Sequence, residues 1–218
     1  MAKSEITTTQ RMLNIWAIIL IIWSFYRATF GTTLPMWIDE FIAKPLVFLL
    51  PLYWYSTRLK KKPLLETIGF TKKHEIADIL FGLGIGAFFV VMAIMVRYMK
   101  AGSIEAPVIT GATILWIITS ISAAFLEQIV STGFIFNGLL KESKNIFQAL
   151  IITAILFSFL HIPALFGANR INGGVLMQTM LLNVVLSFTT STAFLLRKNT
   201  TVPAIIHALY LLSLPILL

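Results

Sequence analysis

The sequence contains no cysteine. Disulfides, thiolate metal sites and cysteine nucleophiles are therefore excluded together. It is also short of charge. Asp, Glu, Lys and Arg make up 12% of its 218 residues, against about 25% in an ordinary soluble domain. Acids are the scarcer sign, with nine Asp and Glu against seventeen Lys and Arg and a net charge of +8. Hydrophobic residues reach 58%, above the usual share of about 45–50%. This balance excludes intrinsic disorder, a collagen-like rod, a coiled coil and a small disulfide-stapled domain. In a soluble chain, +8 would suggest nucleic acid. Here the basic residues lie mainly between apolar runs, so they suit loops against an anionic membrane surface. No nucleic-acid partner is expected; the lipid bilayer is.

A helical span needs about 20 mostly apolar residues. The apolar runs predict spans at 12–30, 41–57, 77–97, 107–125, 127–140, 147–166, 174–196 and 203–218. The expectation is an all-α, polytopic membrane helix bundle of seven to eight transmembrane helices, with 1–218 as a single integral membrane domain. The fourth and fifth runs nearly touch, so 107–140 reads as two full spans or as one and a half. The first run has the core length of a signal peptide, but Trp23, Phe25, Tyr26 and Arg27 stand where small cleavage-site residues belong, so it reads as an uncleaved helix. Thr200, Thr201 and Pro203 form the start signal of the last helix. Ala168 to Gly174 reads as a loop. Gly82 and Gly86 predict a close helix–helix contact rather than a nucleotide loop, which would need a preceding strand. With eight spans and the N-terminus inside, the inner segments hold Lys3, Arg11, Arg58, Lys60, Lys61, Lys62, Lys72, Lys73 and Arg170. The outer ones hold Arg97, Lys100, Lys141, Lys144, Arg197 and Lys198. That modest bias puts segment 58–73 in the cytoplasm of a multi-pass cell-membrane protein.

A charged group at the bilayer centre costs roughly 2.5–3.5 kcal/mol or more. Between Ala106 and Leu140 the one acidic residue is Glu127, amid Ala123, Ala124, Phe125, Leu126, Ile129 and Val130. His161 and His207 sit in equally apolar surroundings, whereas His74 lies in the basic loop. A carboxylate and two imidazoles in three different apolar helices are satisfied most economically by one another and by water in a shared cavity. That cavity is expected to open toward the cytoplasmic side or the midplane. Such a set can act as a general base on water, and it also matches three protein ligands for zinc. Residue types leave both chemistries open. Arg27, Asp39, Glu40 and Lys44 have simple local outlets: the two acids at the outer interface, an i, i+4 pair between Glu40 and Lys44, and snorkelling for Arg27.

Three short patterns then stand in order: Glu127-Gln128-Ile129-Val130-Ser131-Thr132-Gly133, Phe157-Ser158-Phe159-Leu160-His161, and His207-Ala208-Leu209-Tyr210-Leu211. They resemble the motifs Glu-Glu-x-x-x-Arg-Gly, Phe-x-x-x-His and His-x-x-x-Asn of the CPBP (CAAX protease and bacteriocin-processing, Abi) family of intramembrane proteases. Leu64 to Phe70 resembles the lead-in to that family's core, so the resemblance covers 60–218. It implies catalytic roles for Glu127 and His161 in activating water, and for His207 in stabilising the oxyanion. A metal set of the same three residues applies only if the enzyme is metal-dependent; no cofactor is certain. Gln128, Ser131, Phe157 and Asn183 are the expected substrate-binding residues, and the partner is a membrane peptide or protein.

The chain departs from the motifs at Gln128, Thr132 and Leu211. The first two are i and i+4 on a helix, so a polar Gln–Thr contact replaces an ion pair. Ser131 is placed to hydrogen-bond Glu127. Leu211 brings no donor, and Asn183 is one candidate to replace it. The implied function is an intramembrane endopeptidase, with bacteriocin processing or self-immunity as an extension by analogy. The alternatives are a catalytically impaired scaffold or immunity protein that binds without cleaving, and a small transporter with a Glu/His relay.

Overall fold

In a computed structural model, residues 7–31, 33–102, 110–167 and 172–217 are described. Lys3, Arg170, residues 168–171 of the expected loop and the beginning of the span expected at 107 lie outside them. The described residues are almost wholly helical and contain no strand. Helix α1 is Thr8–Thr29, and α2 is a run over 36–60 with π-helical turns at Asp39–Ala43 and Tyr55–Lys60. A single turn, α3, covers Leu64–Thr67; α4 is Glu75–Ala101. Helix α5 runs over Gly111–Ser143, α6 is Ile146–Gly167, α7 is Gly173–Arg197 and α8 is Thr201–Leu217. Of these, α1, α4, α5, α6 and α7 are long and apolar enough to cross a membrane. The chain is a polytopic helical membrane bundle.

Side-chain caps explain several of the starts. Thr7 and Gln10 form a capping box on α1, Thr110 accepts from the Thr113 N–H at the head of α5, and Asn172 accepts from Val175 N–H at the head of α7. Helix α4 stops at Gly102, whose left-handed φ of 69° suits glycine.

The runs expected separately at 107–125 and 127–140 are one helix of 33 residues. No turn residue interrupts Glu127 and Gln128. The breaker that follows, Gly133, is absorbed in a π-helical stretch, Ile129–Phe136. A Cβ on Gly133 would sit 2.8 Å from the Ile68 carbonyl oxygen. The glycine therefore lets the chain after α3 rest directly on the α5 backbone.

Fusing those two runs reverses the sidedness of everything after them. Ion pairs join Lys60 to Glu142 and Asp78 to Arg197, and Asn199 donates to the Thr71 carbonyl. Among the described residues, one end of the bundle therefore gathers Arg11, Arg58, Lys60, Lys61, Lys62, Lys72, Lys73, Lys141, Lys144, Arg197 and Lys198, while the other holds Arg27, Arg97 and Lys100. The charge asymmetry is far steeper than eight spans would give.

Packing follows the small residues. A Cβ on Gly82 would meet Ile205 at 3.1 Å, and one on Gly86 would fall 2.9 Å from Leu209 Cβ, so α4 and α8 touch backbone to side chain as the glycine spacing predicts. Aromatic side chains fill the core among α1, α2, α5 and α7, with Trp23 on Phe48, Tyr55 on Phe134 and Phe136 on Phe194. A polar clasp closes the basic end. Buried Asp78 accepts from Arg197 Nε and from Asn199 Nδ2, both at 2.7 Å.

Candidate active site

Three helices deliver the ionisable groups to one point. Glu127 lies midway along α5, His161 late in α6 and His207 early in α8. Glu127 Oε2 is 3.2 Å from His161 Nε2 and 3.6 Å from His207 Nε2. One ligand-type atom from each residue falls within 4.8 Å of the others. The predicted convergence is present.

Hydrogen bonds behind the imidazoles fix how they face the carboxylate. His161 Nδ1 is 2.9 Å from the Phe157 carbonyl oxygen. A carbonyl only accepts, so Nδ1 carries the proton, and in the neutral ring Nε2 presents a lone pair. His207 Nδ1 is 3.3 Å from Gln128 Nε2, which donates, so the His207 proton sits on Nε2. The Gln128 amide is oriented in turn by Thr132 Oγ1, which donates to its oxygen. The Gln–Thr contact expected from the sequence is therefore present, and it sets the His207 tautomer. Phe157 stacks edge-on against both rings, at centroid distances of 4.7 Å to His161 and 5.6 Å to His207. Glu127 Oε2 and His207 Nε2 are buried yet make no hydrogen bond among the described residues. Two groups of this polarity without protein partners mark a place for water or for a polar group of a substrate.

The sequence reading missed the fourth member, Lys44. Its ammonium is buried, bonds both Glu40 oxygens at 2.9 and 2.7 Å as the i, i+4 spacing predicts, and also bonds Glu127 Oε1 at 2.9 Å. An ammonium has three donors, and Glu40 leaves one for another acceptor. That arithmetic was the available signal: Lys44 is the one cation between Phe41 and Thr57. Glu40 and Asp39 lie near the start of α2, at the end of the bundle away from 58–73. Asp39 is buried and pairs with Arg27 and the Tyr26 hydroxyl; Glu40 lines the cavity. Two carboxylates against one ammonium leave one formal negative charge facing the imidazoles.

A cavity of about 390 Å³ opens beside the cluster, lined by Glu127, His161, Glu40, Lys44, Leu211 and residues reaching to Arg27 and Trp116. It extends toward the end of the bundle away from 58–73. Behind the triad the basic side is filled by Gln128, Thr132, Asn199 and Thr200, all buried. Leu211 lines the cavity, at the position where the resemblance would place Asn. Asn183 is buried in α7 with an unpartnered Nδ2 and is not among the described lining residues. Gln128 and Phe157 are fully buried behind the histidines. Ser131 makes no hydrogen bond to Glu127, and its Oγ has no partner among the described residues. The π-helical turn that begins at Ile129 shifts the register that i, i+4 spacing assumes.

Compared with known proteins, residues 110–212 match the family model described as type II CAAX prenyl endopeptidase Rce1-like. The match spans Glu127, His161 and His207. Neither a curated protein nor a solved structure is similar enough to the chain to match.

Proposed function

We propose, on the match of residues 110–212 to the Rce1-like CAAX prenyl endopeptidase model and the resemblance of the three motifs to the CPBP intramembrane proteases, that this chain is a peptidase in which Glu127 activates water inside the bundle. The observation that carries the proposal is Glu127 Oε2, buried without a hydrogen bond among the described residues and flanked by two imidazole nitrogens beside the cavity. Water bound beside Oε2 and His161 Nε2, from the cavity, gives its proton to the carboxylate as its oxygen attacks the carbonyl carbon of the scissile amide. The tetrahedral oxyanion accepts from the His207 Nε2–H. Collapse breaks the C–N bond, and the proton held on Glu127 passes to the leaving amine. Lys44 holds Oε1, so the other oxygen points at the water. Gln128 and Thr132 act through His207, as positioning residues.

The donor set suits zinc by type and spacing. A dication would share its carboxylate with the Lys44 ammonium, and the His207 Nε2 that faces the site carries a proton. The chemistry is therefore assigned to the carboxylate without a metal. The cavity volume falls in the range of about 300–1,000 Å³ common to ligand pockets, and a short stretch of membrane peptide is the substrate class. The excess of Lys and Arg at the basic end, including 58–73, supports a cytoplasmic side for it in a cell-membrane protein. Peptide then enters from the opposite side, a geometry compatible with bacteriocin processing or self-immunity.

One observation favours a binding-only reading: Leu211 presents a hydrocarbon to the cavity. The two readings part on Leu211→Asn. Adding an amide there raises peptide cleavage by up to about 10²-fold if oxyanion donation limits a working enzyme. Cleavage assays on membrane peptides with matched amounts of both proteins check this. A wild-type protein with no cleavage, together with a Leu211→Asn variant that cleaves, would identify a scaffold that has lost its chemistry. No cleavage by either protein would overturn the peptidase proposal.

A further inference from the structure

At the opposite end from the cavity, a second pocket of about 200 Å³ lies between α1, α2, α3 and α5. Its charged lining is Lys60, Lys62 and Lys141 against Glu66 and Glu142. Lys62 pairs with Glu66, and Lys60 reaches Glu142 at 3.6 Å. Lys141 makes no ion pair or hydrogen bond among the described residues and leaves the pocket with one surplus positive charge. The floor carries a second, independent feature. Tyr55 is 1% exposed and lines the pocket. Its hydroxyl is sealed from solvent and has no partner among the described residues. A buried phenol normally finds one. The aromatic ring is held edge-on by Phe134 at 5.1 Å, so the hydroxyl is fixed in direction.

We propose that this pocket binds a phosphate group, with the Tyr55 hydroxyl donating from the floor and Lys141 closing the mouth. Phosphate offers several acceptors to a hydroxyl and an ammonium together. The pocket lies at the basic end of a membrane bundle, where the headgroup of an anionic phospholipid presents that group. Basic pockets between helices at this level suit such headgroups. A free phosphate in solution has the same chemistry. The proposal is independent of the peptidase reading, because no residue of the pocket belongs to the triad.

The test uses the full chain in nanodiscs of phosphatidylcholine, of phosphatidylcholine with phosphatidylglycerol, and of phosphatidylcholine with inorganic phosphate added. Lipid retention is read by native mass spectrometry and stability by thermal unfolding. Phosphatidylglycerol is expected to be retained and to raise the unfolding temperature. Tyr55→Phe and Lys141→Gln should each weaken retention by about tenfold. Neither should alter unfolding in phosphatidylcholine alone, since each removes a group with no partner among the described residues. Lys72→Gln, in the basic loop outside the pocket, should retain lipid like wild type. Stabilisation by inorganic phosphate but not by the lipid, abolished by the same two variants, would assign the site to a soluble phosphate. Equal retention by wild type, Tyr55→Phe and Lys141→Gln with no effect of phosphate would overturn the proposal. So would an equal loss in Lys72→Gln, which would reduce the effect to surface charge.

Discussion

Glu127→Gln is expected to lower the rate of peptide cleavage by about 10²–10⁴-fold, the usual contribution of a positioned general base. The substitution keeps the shape of the side chain and removes only its capacity to take a proton. Lys44 retains both contacts to Glu40, so the bundle should remain folded and insert normally. His161→Ala should cost a similar factor, because it removes the nitrogen that faces Oε2 across 3.2 Å. Cleavage of a membrane peptide by purified protein in proteoliposomes, alongside thermal unfolding, separates lost chemistry from lost fold. Unchanged turnover in Glu127→Gln would remove the carboxylate from the reaction.

The second large effect belongs to Lys44. Lys44→Met deletes the ammonium that bridges two carboxylates and leaves Glu40 and Glu127 facing one another without a counterion. Breaking a buried ion pair from one side costs about 3–5 kcal/mol. The fold should weaken by that order, and Glu127 should lose the contact that points Oε2 at water. Combining Lys44→Met with Glu40→Gln removes one of the two stranded charges and should restore much of the stability without restoring activity. Denaturant unfolding of the single and double variants measures the difference. A Lys44→Met protein as stable as wild type would mean that the ion cluster between α2 and α5 does not form.

How far these features were legible in the sequence depends on the kind of signal each one left. Glu127, His161 and His207 stood out because an ionisable group in an apolar helix has few explanations, and their order matched a known set of motifs. The glycines of α4 announced their contact through spacing alone. Lys44 was harder to see. Its pairing with Glu40 is local and readable from i, i+4 spacing, but its bond to Glu127 joins residues 83 apart in sequence. Asp78 raised no flag either, since an acid near a basic loop looks solvated until Arg197 and Asn199 close over it. The α5 boundary misled for a physical reason. Two polar residues and a glycine resemble a break, yet a π-helical stretch carries the helix through them. That one joint decides which way every later helix points.

The central claim is that water activated at Glu127 cuts a peptide within the membrane. Membranes holding wild type or Glu127→Gln at equal levels can be incubated in water enriched in heavy oxygen, and their released peptides read by mass spectrometry. The account predicts new C-terminal carboxylates carrying the heavy label from wild type and their absence from Glu127→Gln. Labelled products in equal amount from both proteins would contradict it, as would no labelled product from wild type.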